Sequence, residues 1–117
     1  LTSVGKLFLA ADDPQRIRAY ATRTGLNGQT KNSITQLAAL ERELAKVRQY
    51  GTAHDNEELE LGVRCMACGI YDDQDKLVAG LSISAPASRL DEGWLAKLQA
   101  TANEISATLG RKAAMQR

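Results

Sequence analysis

The residues best equipped for chemistry in this 117-residue chain stand in the run "RCMACG", where Cys65 and Cys68 are separated by two residues. A Cys-x-x-Cys spacing serves redox dithiols and half-sites for zinc, because both need two thiolates converging on one point. The surrounding pattern opposes convergence. Through "GVRCMACGIY" the residues follow a period of two, and side chains at i and i+3 of a strand leave opposite faces. Redox pairs of this spacing normally sit at a helix N-terminus, where the dipole lowers the thiolate pKa. Structural zinc would need two further ligands, and the chain offers no other cysteine and a single histidine, His54. We therefore expect no metal, no cofactor and no disulfide here, only two small side chains on a strand.

The run "LVAGLSISA" follows across the turn-rich "DDQDK", and two alternating runs joined by a short polar loop predict an antiparallel hairpin. On the second run Leu77, Ala79, Leu81, Ile83 and Ala85 share one face, and Val78, Gly80, Ser82 and Ser84 the other. If Asp72 pairs with Leu77, Met66 lies opposite Ile83, Cys68 opposite Leu81 and Ile70 opposite Ala79, so the greasy side becomes continuous. In that register Cys65 faces Ser84 and Ala67 faces Ser82, beside Gly69 and Gly80. This second face carries a thiol, two hydroxyls and little bulk. Such a surface has room for a small ligand whose carboxylate or carbonyl would take the donors. It suits equally a helix packed closely on the sheet, and composition leaves both readings open.

The elements that must position this face are mostly helical. Val4, Leu7 and Phe8 make a short apolar stripe. In "ADDPQRIRAYATRTG" Asp12 and Asp13 can cap, Pro14 suits a first turn, Ile17 with Tyr20 or Ala21 forms the buried face, and Gly25 stops the helix. "SITQLAALERELAKVRQYG" predicts a longer helix, with Thr35 as N-cap, Leu37, Leu40, Leu44 and Val47 inward, and Gly51 as stop. Its Glu41, Arg42, Glu43, Lys46 and Arg48 read as a solvated face. "LDEGWLAKLQATANEISATLG" closes the domain with Trp94, Leu95, Leu98, Ala102, Ile105 and Leu109 on one stripe, before a basic tail, "RKAAMQR", expected to fray. Helices, a hairpin and a final helix indicate an α+β domain with helices packed on an antiparallel sheet.

Composition sets the bounds. A net charge of +1, 44% hydrophobic, 25% charged and 4% aromatic residues describe one globular domain, neither disordered nor built to grip nucleic acid. The chain starts at Leu1 without a signal-peptide pattern and reads as a piece whose upstream part is missing. No apolar run approaches the roughly 20 residues of a membrane helix. Two closely spaced cysteines fit a cytoplasmic protein that does not depend on disulfides.

"SVGKLFLA", "DNEELELGVRCMACGIYD" and "GLSISAPASRL", in that order, resemble the effector-binding domain of IclR-family bacterial transcriptional regulators. The strongest element is G-(L/V)-x-C followed by S-I-S-x-P-x-x-R, and the likeness covers most of the chain. It implies a GAF-like or profilin-like α/β domain with a curved antiparallel sheet flanked by helices, of which residues 1–117 are a part lacking the N-terminal strands. It further implies an upstream winged helix-turn-helix domain that binds operator DNA as a homodimer or homotetramer, and a small metabolite effector, often an organic or sugar acid. Carried over by position, Cys65, Ser82 and Ser84 match pocket positions, Asp55 matches the acidic pocket residue, and Ser3, Val4 and Gly5 match the start of a helix whose N–H groups favour an anion. Leu59 stands where many members have a histidine, which weakens any metal-assisted variant. Two other readings stay open: a small enzyme using Cys65 as nucleophile, and a purely structural oligomerisation domain.

Overall fold

The computed structural model describes residues 2–26, 28 and 30–112. Within these residues four helices and three strands run in the order α1 (Ser3–Ala10), α2 (Pro14–Thr24), α3 (Leu37–Tyr50), β1 (Thr52–Asn56), β2 (Val63–Tyr71), β3 (Leu77–Pro86) and α4 (Trp94–Thr108). The strands form one antiparallel sheet in the order β1-β2-β3, giving the expected α+β class. One sheet face carries Ala53 and Ala67 into a core with Leu7, Ile17, Leu40, Leu44 and Val47 of α1, α2 and α3. The other carries Met66, Cys68 and Ile70 against Leu98 and Ala102 of α4.

Local chemistry sets both ends of α2 and the end of α3. The Asp13 carboxylate accepts the Arg16 N–H, Pro14 follows in the first turn, and Gly25 closes α2 in the left-handed region at φ 65°. Gly51 does the same for α3 at φ 72°. The α3 start differs from expectation: its N-cap is Gln36, without a side-chain cap bond, not Thr35. Residues 34–36 are non-helical, and the Ser33 hydroxyl instead donates to the Glu58 carbonyl. The solvated face of α3 also needs correction. Glu43 pairs with Lys6 at 2.9 Å, and Arg48 donates to the Ala10 carbonyl at the end of α1. Two stripe residues, Phe8 and Leu109, are exposed rather than inward. The tail from residue 113 lies outside the described residues.

The hairpin adopts the expected register along most of its length, with Cys65 opposite Ser84, Met66 opposite Ile83, Cys68 opposite Leu81 and Ile70 opposite Ala79. Beyond Ile70 the pairing slips, so that Tyr71, not Asp72, faces Leu77. Val78 is the extra residue of this bulge and is exposed. The bulge moves Leu77 across the sheet: it packs with the α1–α3 core, whereas Ala79, Leu81, Ile83 and Ala85 pack with α4.

Strand β1 carries no strand pattern in the sequence. Its short run, TAHDN, pairs Ala53 with Ala67, His54 with Met66 and Asp55 with Cys65. Among the described residues no helix is long and apolar enough to cross a membrane.

Candidate functional site

Three-stranded pairing lays residues out in rows. On the α1 side one row is Asp55, Cys65 and Ser84, and the next is Ala53, Ala67 and Ser82. The two cysteines diverge, as strand geometry requires. Cys68 is fully buried among Met66, Ile70 and the α4 side chains, while Cys65 is half-buried beside α1. Burial pushes the Cys68 thiol from its ordinary 9.0 up to about 11, so it stays protonated and inert. Because the folded value is raised, this thiol's contribution to stability is complete below about pH 9 and fades as pH rises toward 11. Cys68→Ala is expected to cost about 1 kcal/mol, the scale of a small buried group and its cavity. Chemical denaturation would check this, and affinity at the opposite, α1-facing side of the sheet should be untouched.

The small sheet face divides between packing and open space. A side chain added at Gly80 would come within 3.0 Å of Val4 Cγ1 and 3.3 Å of Leu7 Cδ1, so α1 sits directly on this glycine. The Tyr71 ring covers Gly69 in the same way. Beyond α1's first turn the face opens into a cleft of about 320 Å³ walled by Asp55, Cys65, Ser82 and Ser84. Thr2, Ser3 and Val4 form its second wall, and Leu59, Glu60 and Val63 its rim.

The hydrogen bonds show which polar groups are committed. Ser3 Oγ lies 2.8 Å from Cys65 Sγ, fastening the start of α1 to the sheet. Thr2 Oγ1 caps α1 by accepting the Gly5 N–H at 2.9 Å. The amides of Ser3 and Val4 precede the first intrahelical bond and have no acceptor among the described residues. Asp55 is buried, and its Oδ1 accepts the Glu58 N–H at 2.9 Å. Its other oxygen has no hydrogen-bond partner among the described residues and is not fully enclosed. The Ser82 and Ser84 side chains are exposed and make no hydrogen bond among the described residues.

Six of the seven expected positions, Ser3, Val4, Asp55, Cys65, Ser82 and Ser84, therefore meet in one cleft. Gly5 does not join them: its N–H is taken by Thr2, and it lines a separate groove with Phe8, Tyr20 and Tyr71. Sequence reasoning missed Thr2, Glu60 and Val63, which line the cleft without a motif of their own. It also missed Lys6 and Glu58. Lys6 is fully buried, and its Nζ donates to Glu43 Oε2 at 2.9 Å, to Glu58 Oε2 at 2.9 Å and to the His54 carbonyl at 2.5 Å.

The arrangement suits binding better than nucleophilic chemistry. A thiol nucleophile needs a base in hydrogen-bond reach, yet His54 pairs with Met66 on the opposite face and its Nε2 lies 3.7 Å from Glu92 Oε2. Among the described residues no group of three or more His, Cys, Asp or Glu side chains could hold a metal ion.

This α+β architecture is shared with domains of bacterial transcriptional regulators. The chain belongs to the IclR family: the model of the bacterial transcriptional regulator IclR C-terminal domain matches residues 1–107. It is similar to the DNA-binding transcriptional repressor YiaJ of Escherichia coli (strain K12), 36% identical over 115 residues, which cover 93% of this chain and 41% of the repressor. A crystal structure of transcriptional regulator YaiJ matches with a TM-score of 0.87 and 34% identity, over 97% of this chain and 66% of that one. The inducer-binding domain of PobR from Acinetobacter, a double mutant in complex with 3-hydroxybenzoic acid, matches with a TM-score of 0.83 and 29% identity, over 90% of this chain and 63% of that one. The chain spans about two-fifths of the length of the curated relatives it matches, and those are regulators and repressors rather than enzymes.

Proposed function

We propose that this chain is the effector-sensing part of a cytoplasmic transcriptional regulator, and that it binds a small organic or sugar acid in the cleft between α1 and the β1–β3 face. The observation that carries this reading is the set of uncommitted polar groups around one small volume: the Ser82 and Ser84 hydroxyls, the Ser3 and Val4 amides and one Asp55 oxygen. Hydroxyls and helix N-terminal amides suit the carboxylate end of a ligand. Among the described residues the lining includes Asp55 and Glu60 but no lysine or arginine. Asp55 therefore suits a ligand hydroxyl, and a second carboxylate there would be repelled. A monocarboxylic acid carrying hydroxyls meets both demands. The PobR inducer-binding domain, which shares this fold, is in complex with 3-hydroxybenzoic acid, itself a hydroxylated monocarboxylate, and this supports the ligand class.

Binding would shift the populations of quaternary arrangements, homodimeric or homotetrameric, that set how an upstream winged helix-turn-helix domain grips operator DNA. With a net charge of +1, the phosphate contacts fall to that other part of the protein.

A thermal-shift screen over organic acids, sugar acids and their neutral analogues tests the reading, because a ligand of the native state raises apparent stability with its occupancy. At 100 times its Kd an effector adds about 2.7 kcal/mol. We expect a hydroxylated monocarboxylate to raise Tm by several degrees, with its neutral analogue and a dicarboxylate inactive. A flat response across the panel would favour a structural oligomerisation domain.

A further inference from the structure

Lys6 does not touch the cleft, yet it is the fully buried end of a chain of bonds that leads into it. Its ammonium grips Glu58 Oε2 at 2.9 Å. The same oxygen accepts the Asn56 N–H at 3.0 Å, and the Glu58 N–H donates to Asp55 Oδ1 at 2.9 Å. Glu58 is thus held at both ends, with its side chain on Lys6 and its amide on the cleft carboxylate. The turn that makes this possible is an unusual one. Glu57 sits at φ 60°, a region that costs a non-glycine residue of order 1 kcal/mol or more. The Thr30 and Ser33 hydroxyls also donate to the Glu57 and Glu58 carbonyls.

We propose that Lys6 is a positioning residue for ligand recognition: through Glu58 it fixes the Asn56–Glu58 turn so that Asp55 presents its uncommitted oxygen to the cleft. The inference rests on the reading of the cleft as an effector site. It also joins the two walls, because Lys6 lies one turn beyond Ser3, so a single residue locks α1 and the Asp55 turn together. The other arm, to Glu43 on α3, anchors the ammonium from behind.

The test uses the double variant Lys6→Met with Glu58→Gln, which removes both charges of the pair and leaves no uncompensated carboxylate at Glu58. Two readouts are compared with the wild-type protein: affinity for glycerate beside propionate, its analogue without hydroxyls, and hydrogen exchange at the Glu58 amide. We expect glycerate affinity to fall about tenfold, the scale of one hydrogen bond to a charged group. Propionate should bind the two proteins alike, and the Glu58 amide should lose protection. A merely structural role would weaken both acids together, which overturns the proposal, as does unchanged glycerate affinity or an unchanged Glu58 amide. If neither acid binds the wild-type protein, the sensing reading fails for this ligand class. Exchange then decides the Lys6 link alone, a protected amide in the double variant overturning it and an exposed one upholding it.

Discussion

Lys6→Met alone is expected to cost about 3–5 kcal/mol of folding stability, the range for removing one partner of a buried ion pair. The side chain of Lys6 is completely buried, while those of its partners Glu58 and Glu43 are 10% and 27% exposed. Methionine would fill a similar volume but leave the Glu58 carboxylate nearly enclosed, with the Asn56 N–H as its remaining hydrogen-bond partner among the described residues. A domain with a total of about 5–15 kcal/mol would lose much of its margin. Adding Glu58→Gln should restore most of it, because desolvating an amide costs far less than desolvating an ion. Glu43→Gln should be mild, since that partner reaches solvent. Urea melts of the three variants separate these outcomes. A single Lys6→Met variant as stable as wild type would mean that the ammonium is not desolvated and that α1 is not tied to the Asp55 turn through it.

The legible and illegible parts of the molecule divide by how local their causes are. The hairpin register was readable because only one alignment puts Met66, Cys68 and Ile70 with Ile83, Leu81 and Ala79 on a single apolar face. The divergence of Cys65 and Cys68 followed from strand period alone. The α2 start and the ends of α2 and α3 were readable from Asp13, Pro14, Gly25 and Gly51, whose conformational preferences act within a few residues. The bulge at Val78 was not, since it satisfies Leu77's demand for the α1–α3 core, a demand that exists only after the helices have docked. β1 was missed because Ala, His, Asp and Asn have weak strand preference, and its identity comes from pairing with β2. Without β1, Asp55 could be placed only by resemblance; with it, Asp55 is the cross-strand neighbour of Cys65. Lys6 was the deepest omission. Lysine is almost never fully buried unless paired, and its carboxylate partners lie 37 and 52 residues away.

The double change Ser82→Ala with Ser84→Ala is expected to weaken effector binding roughly 100-fold, about tenfold for each hydroxyl that bonds a carboxylate. Folding should move by no more than about 0.5 kcal/mol, because both side chains are exposed and neither is bonded within the described residues. This separation of affinity from stability is the reverse of that expected for Cys68→Ala, two faces of the same sheet answering differently. Ser82 has one complication: it also borders a groove between β3 and α4 beside Trp94 and Lys97. Ser84 borders only the cleft among these cavities, in the row with Cys65 and Asp55. Ser84→Ala alone therefore carries the assignment, and about a tenfold loss by isothermal titration would place the ligand between α1 and the sheet. Full affinity in Ser84→Ala together with a loss in Ser82→Ala would move the ligand to the α4 side. Full affinity in the double variant would remove both hydroxyls from recognition and redirect the search to the groove lined by Gly5, Tyr20 and Tyr71.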